Sequence, residues 1–177
     1  HRGIEEDEIV ELIRSLDEMC ENPDEAPNLS RIANDNSSNA KSERTSHHLL
    51  LALRAYAWLT LVSAGRADSI RRIRISDVSE DHFIREISKM RTYSEEIRNS
   101  MPEWAFARVE PYLEHCRENH PDAVFLFSED EGKRGRGTIN PKTLGELVKG
   151  SMRNIGMRPT CSGGYYRFHD LRKVWCD

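Results

Sequence analysis

The sequence predicts a mainly α-helical domain that carries one small antiparallel β-hairpin. Residues 45–64 and 141–152 place apolar side chains at spacings of three and four, which is typical of helices packed on a core. Between them, residues 82–100 are rich in β-formers on either side of a polar stretch, which indicates a hairpin. The chain has 177 residues, of which 37% are hydrophobic, so we expect one domain over 1–177.

The other elements follow from local patterns along the chain. A scaffold helix is predicted over Ile4–Cys20, and a mobile surface loop or insertion over 21–44, where Asn, Asp, Ser and Pro dominate. The helix over 45–64 is apolar on most of its surface, which predicts the central core helix, and Gly65 is expected to cap its end. A helix over 102–119, kinked or broken at Pro111, is expected to turn Trp104 partly inward. Residues 123–127 are predicted to form a short buried strand or extended segment.

Charge and cysteine content narrow the function classes. The net charge of the whole chain is −4, which does not indicate a polyanionic partner. Arginines nevertheless cluster at 66–74, 133–136 and 167–173, and such clusters can create a local positive field. The four cysteines form no Cys-x-x-Cys pair, which argues against a zinc site or a disulfide framework. No apolar run reaches membrane-spanning length and no signal-peptide pattern is present, so we expect an intracellular protein without a membrane segment.

Four side chains stand out as phosphate ligands. His169 and Arg172 are three residues apart, so a helical turn would present an imidazole and a guanidinium on one face. Arg66 follows Gly65 at a turn, and Lys89 is expected at the end of the first hairpin strand. Guanidinium groups can stabilise the charge of a phosphodiester under attack, and a lysine can protonate the leaving oxygen. No carboxylate cluster is placed to hold a metal, which argues against a two-metal nuclease.

Further basic residues are candidates for contact with a phosphate backbone. A solvated basic helix explains Arg71 and Arg72 equally well, and a solvated loop is an equal alternative for the Gly-rich basic segment over 133–137. The residues expected to bind DNA are Arg71, Arg72, Lys133, Arg134, Arg136, Lys142 and Lys173.

The ordered set of motifs resembles the catalytic domain of the tyrosine recombinases, or phage integrases. Ser63–Val78 is similar to the first arginine box of that family and the apolar, basic and Asp run after it. Ser88–Thr92 resembles the family's β-hairpin lysine, and Phe168–Arg172 resembles its second box. The resemblance covers nearly the whole chain from Ile4 onward.

The resemblance implies site-specific cleavage and rejoining of duplex DNA through a 3′-phosphotyrosyl intermediate. It implies that Arg66 and Arg172 clamp the scissile phosphate, that His169 is a donor or proton carrier, and that Lys89 is the general acid. It implies neither a metal nor another cofactor, and it makes double-stranded DNA the partner, bound by several copies of the chain.

Two departures from the family pattern bear on these expectations. The family usually carries an acidic residue three positions after the first arginine, where this chain has Ser69. The nucleophilic tyrosine of the family would lie beyond Asp177, so Tyr165 and Tyr166 are expected to pack and the 177-residue chain alone is expected to be inactive. Two alternatives stay open: a non-catalytic DNA-binding module, and a helical domain that binds RNA or protein.

Overall fold

The structure is a computed structural model that describes residues 4–34, 44–89, 93–127, 139 and 141–157. This part of the chain is mainly helical and holds one two-stranded antiparallel sheet, as predicted. The elements, in chain order, are α1 (Glu6–Glu21), α2 (Leu29–Asn34), α3 (His47–Ser63), α4 (Ala67–Arg71), β1 (His82–Lys89), β2 (Tyr93–Ser100), α5 (Glu103–Asn119) and α6 (Pro141–Asn154).

Helix α3 is the centre of the core, as its apolar surface predicted. Leu50, Leu53 and Leu59 are completely buried, and α1, α4, α5, α6 and β2 all contact the helix. Truncating a leucine at such a site typically costs about 2–5 kcal/mol of unfolding free energy. These five elements therefore take their positions against α3.

The predicted hairpin is confirmed, and β1 pairs with β2 along its whole length. The register joins His82 to Ser100 at one end and Lys89 to Tyr93 at the other. Lys89 therefore stands at the last position of β1, next to the turn, as its place in the sequence predicted.

A third extended segment, which follows α5, pairs with the residues that follow α4. The Ile75 amide donates to the Val124 carbonyl at 2.9 Å, and the Leu126 amide donates to the Ile73 carbonyl at 3.0 Å. Leu126 and Phe127 are fully buried but Val124 is 47% exposed, so only the end of the segment predicted over 123–127 is buried. It forms a single antiparallel bridge rather than a strand of the sheet.

The irregular loop expected over 21–44 is wrong for its first part, which contains a 3-10 turn over Pro23–Glu25 and the helix α2. Leu29, the first residue of α2, is fully buried, and α2 packs against α6. Ser46 is the N-cap residue of α3, and the preceding Thr45 donates its hydroxyl to the Pro27 carbonyl at 2.7 Å and accepts the Leu29 amide at 2.9 Å. Burial of these few apolar residues thus orders a segment of polar composition. Residues 35–43 of the predicted loop lie outside the described residues.

Two expectations concern the course and the packing of α5. The helix is continuous across Pro111, so the predicted break is absent, and the predicted kink stays a prediction. Trp104 is 55% exposed rather than inward, and its ring meets Trp58 edge-on at 5.1 Å between centroids.

Histidines from the start of α3 and the end of α5 form a stacked cluster. The His48 and His115 rings are nearly parallel with centroids 5.2 Å apart, and His120 meets His115 at 6.0 Å. Burial, followed by repulsion from His120 and His47, lowers the pKa of His48. Burial, followed by repulsion from His48 and His120, lowers the pKa of His115, and Glu118 opposes this shift.

We expect this cluster to make the fold less stable as the pH falls below about 6.5, the ordinary pKa of an unfolded-chain histidine. Both folded-state pKa values are lowered, so the unfolded chain takes up protons first and the stabilising neutral form is lost with acid. Urea unfolding midpoints at about pH 7.5 and pH 5.5 measure the loss, with His48→Gln and His115→Gln as comparisons. The loss should shrink in both variants, and an unchanged loss would contradict the assignment.

Candidate active site

The turn that carries Arg66 is built by the end of α3. The Ser63 hydroxyl donates to the Leu59 carbonyl at 2.6 Å and accepts the Gly65 amide at 3.0 Å. Ala64 has φ 51° and ψ 28°, so the left-handed residue that ends α3 is Ala64 and the predicted Gly65 cap is wrong by one position. A left-handed alanine costs about 1 kcal/mol, which the hydrogen bonds of the turn offset.

Gly65 is packed closely against neighbouring side chains. A Cβ at this position would lie 2.9 Å from Ile70 Cδ1 and 2.9 Å from Ser63 Oγ. Ile70 and Ile73 are both completely buried, as their spacing predicted, so the turn rests directly on the core. The next residue, Arg66, is exposed and begins α4 as its N-cap residue. A guanidinium on a tightly held turn is thus presented to solvent.

A hydrogen-bond network attaches this turn to the hairpin. Ser69, only 7% exposed, donates its hydroxyl to the Glu86 carbonyl of β1 at 3.0 Å. The Arg85 guanidinium donates to Ser69 Oγ at 3.3 Å, to the Ser63 carbonyl at 3.5 Å and to Asn99 Oδ1 at 2.7 Å. One side chain therefore joins α3, α4, β1 and β2 around the Arg66 turn.

The network relates the positions of Arg66 and Lys89. Arg66 lies three residues before Ser69, and Lys89 lies three residues after Glu86, roughly 10 Å further along β1. Helix α4 packs against β1, so the two elements that carry these residues are in direct contact. The Lys89 side chain lies outside what the structure describes.

The other predicted basic residues fall in different surroundings. Arg72 is exposed, whereas Arg71 is half-buried, and its charge partly opposes the effect of burial that raises the pKa of Tyr56 to about 12. Arg71 therefore packs toward α3 in addition to any outward role. Lys142 is exposed in the first turn of α6, a helix that packs on α2 and α3. The predicted residues that lie outside the described part of the chain are Lys133, Arg134, Arg136, His169, Arg172 and Lys173.

Ser69 and Arg85 were missed as site residues at the level of sequence. A usable signal existed, because alternate residues of a strand share a face and Arg85 therefore shares one with the completely buried Phe83. A charged residue on the inward face of a hairpin needs partners there. The partners themselves could not be read from the sequence, since they lie 14 and 16 positions away in Asn99 and Ser69.

One groove in the described part of the chain suits a phosphate less well. A groove on α1 is lined by Glu6, Asp7, Val10, Glu11 and Arg14, and its carboxylates would repel a polyanion. Among the described residues, no group of three or more His, Cys, Asp or Glu side chains is arranged to hold a metal ion. No helix in the described ranges is both long and apolar enough to cross a membrane.

Comparison with known proteins gives structural relatives only. No family model and no curated protein sequence matches the chain. The XerH site-specific recombinase bound to palindromic difH substrate, after cleavage, matches with a TM-score of 0.60 and 13% identity over 96% of this chain and 39% of its own. The pre-cleavage XerH complex also has a TM-score of 0.60 and 13% identity, over 96% of this chain and 40% of its own.

A lambda integrase structure bound to DNA matches with a TM-score of 0.51 and 16% identity, over 97% of this chain and 48% of its own. The chain therefore spans less than half the length of each of these relatives. At such low identity the likeness concerns the fold alone. The chain has the fold of the tyrosine-recombinase catalytic domain.

Proposed function

We propose that the chain supplies the phosphate-binding part of the active site of a tyrosine-type site-specific DNA recombinase. The observation that carries this proposal is the exposed Arg66, which lies on a turn that is hydrogen-bonded to strand β1. Lys89 is the last residue of that strand. The recombinase and integrase fold supports it, because the relatives with this fold were solved as complexes with their DNA substrates.

In the proposed reaction a tyrosine hydroxyl attacks the scissile phosphorus, forming a Tyr Oη–P bond while the P–O5′ bond breaks. Arg66 and Arg172 bind the non-bridging oxygens, where negative charge develops. Lys89 gives its proton to the departing 5′ oxygen, and His169, as the proton carrier, takes up the proton that the tyrosine hydroxyl loses. Attack by the 5′-hydroxyl of a second strand reverses the step and releases the tyrosine. One phosphoester replaces another, so the scheme calls for no metal or nucleotide.

Duplex DNA is the proposed partner, and rejoining of two strands calls for several copies of the chain on the DNA. The additional backbone contacts are assigned to Arg71, Arg72, Lys133, Arg134, Arg136, Lys142 and Lys173. We propose that the protein is located on DNA inside the cell or its host.

We expect the chain to bind duplex DNA with an affinity that falls steeply with salt, because each neutralised phosphate releases counterions. Arg66→Ala should weaken binding about 5- to 30-fold and reduce the slope of log K against log salt by about 1, the loss of one phosphate contact. Fluorescence anisotropy at four or more salt concentrations measures both quantities.

Arg14→Ala is the matched control, since Arg14 is a 62% exposed arginine on α1 that pairs with Glu11. It should leave the affinity and the slope unchanged. Binding that does not respond to salt, or an Arg66→Ala variant that binds like the parent, would refute the proposed site.

A non-catalytic DNA-binding module is the second candidate, and one observation favours it. Ser69 stands at the position where the resembled family usually has an acid, and its hydroxyl is engaged by Glu86 and Arg85. Such a module would bind DNA with the same salt dependence but would never form a covalent bond to it. The natural protein that contains this sequence should be incubated with a duplex nicked near the cut site, and a denaturant-resistant adduct would exclude this candidate.

A further inference from the structure

We propose that Arg85 is a positioning residue that holds the Arg66 turn in register with the Lys89 end of the hairpin. This inference rests on the proposed function, since it assigns a role within the same phosphate site. Arg85 itself is half-buried and its hydrogen bonds point into the protein, so it acts through Arg66 and not on the DNA.

The hydrogen bonds of Arg85 bracket the turn from both sides. Ser63, whose carbonyl accepts from Nη2, lies three residues before Arg66, and Ser69, whose hydroxyl accepts from Nη1, lies three residues after it. Nε donates to Asn99 at 2.7 Å, which anchors the guanidinium on β2. The planar group therefore connects both flanks of the Arg66 turn to the sheet.

Ser69 completes the bracket because its hydroxyl is used in both directions. It accepts from Arg85 and donates to the Glu86 carbonyl at 3.0 Å, so its orientation is determined by two partners. A carboxylate at this position could accept from Arg85 but could not donate to the carbonyl. The serine that departs from the family pattern is thus matched to an arginine on the facing strand.

Lysine cannot reproduce this arrangement. A guanidinium presents several donors in one rigid plane, whereas an ammonium is a single point at the end of a flexible stem. Arg85→Lys keeps the charge of the site but loses the simultaneous contact with Ser63, Ser69 and Asn99. Any effect of this variant on DNA binding must then come from the position of Arg66 and not from net charge.

The test is a double-mutant cycle on duplex DNA binding with Arg66→Ala, Arg85→Lys and the double variant. We expect Arg85→Lys to weaken binding about 3- to 10-fold and to lower the salt slope toward that of Arg66→Ala. In the Arg66→Ala background, Arg85→Lys should have no further effect. Additive effects of the two changes would overturn the inference.

Arg98→Lys is the control on the same hairpin, because Arg98 is on β2 and contacts His82 instead of the turn. It should leave affinity and slope unchanged. Ser69→Ala removes the hydrogen bonds of this hydroxyl to Arg85 and to the Glu86 carbonyl and leaves the Arg85 side chain in place. It replaces Arg85→Lys in the cycle if that variant melts earlier than the parent. Ser69→Ala that is additive with Arg66→Ala would likewise overturn the inference.

The outcomes separate this inference from the function on which it rests. If the parent chain does not bind duplex DNA, or if Arg66→Ala has no effect, the proposed function fails and the inference fails with it. If Arg66→Ala weakens binding and Arg85→Lys does not, the phosphate site stands and only the positioning role of Arg85 is refuted.

Discussion

Gly150→Ala is expected to lower the free energy of unfolding by about 3 kcal/mol, at the upper end of the range for overpacking a core. Gly150 lies where α6 crosses α2, and a Cβ there would be 2.0 Å from the Leu29 carbonyl oxygen and 2.7 Å from its carbon. Those atoms belong to the backbone, so no side chain can rotate away. The two helices would have to move apart and expose Leu29, which is completely buried.

Gly145→Ala is the matched control, because it makes the same change in the same helix where a Cβ would meet nothing within 4 Å. Alanine is the better helix former, so this variant should gain about 0.5–1 kcal/mol. Urea unfolding followed by circular dichroism measures both. Equal effects of the two substitutions would show that α2 and α6 do not approach this closely.

Asp17→Asn is expected to lower the free energy of unfolding by about 3 kcal/mol, because it leaves buried positive charge without its anion. Asp17 Oδ1 accepts from Arg54 Nη1 at 3.4 Å, and its two oxygens accept from Arg108 Nε at 3.2 and 3.1 Å. The Arg54 side chain is only 11% exposed. Arg108 keeps the Trp104 carbonyl at 2.7 Å and the Trp58 ring at 5.2 Å, so the cost falls mainly on Arg54.

The control for this prediction is Glu11→Gln on the same helix. Glu11 pairs with Arg14 at 3.5 Å, but both side chains are more than half exposed, at 53% and 62%. Such pairs contribute little, so the change should stay within about 0.5 kcal/mol. The same denaturation experiment applies, and a loss at Glu11 as large as that at Asp17 would rule out burial as the source of the effect.

Much of the fold could be predicted because the periodic elements are long. Helices α1 and α6 each carry an apolar stripe over at least 14 residues, whereas α3 is apolar on most of its surface, and the buried positions match these patterns. The hairpin was recognisable from its β-formers and from the polar turn between them. Helix α2 was not, since its six residues contain too few apolar positions to define a period.

The positions of two of the four proposed active-site residues could also be predicted from the sequence. Arg66 lies at a turn after a helix and Lys89 at the end of a strand, both of which are determined locally, and the structure places both backbones at these positions. The role of Ser69 was not accessible, because it depends on Arg85 and Glu86 in another element. The roles of His169 and Arg172 remain predictions, since both lie outside the described residues.

The order and type of the main elements could be predicted, because periodicity and turn chemistry act between residues a few positions apart. Three features arise only when the chain has folded: Ala64 rather than Gly65 takes the left-handed conformation, Gly150 meets the backbone of Leu29, and Arg85 brackets the Arg66 turn. The physical reason is common to these three features. Each depends on which atoms come close together once the helices and the hairpin have packed. Those atoms belong to residues that are distant in the chain, or they hold a residue in a conformation that its local preference disfavours.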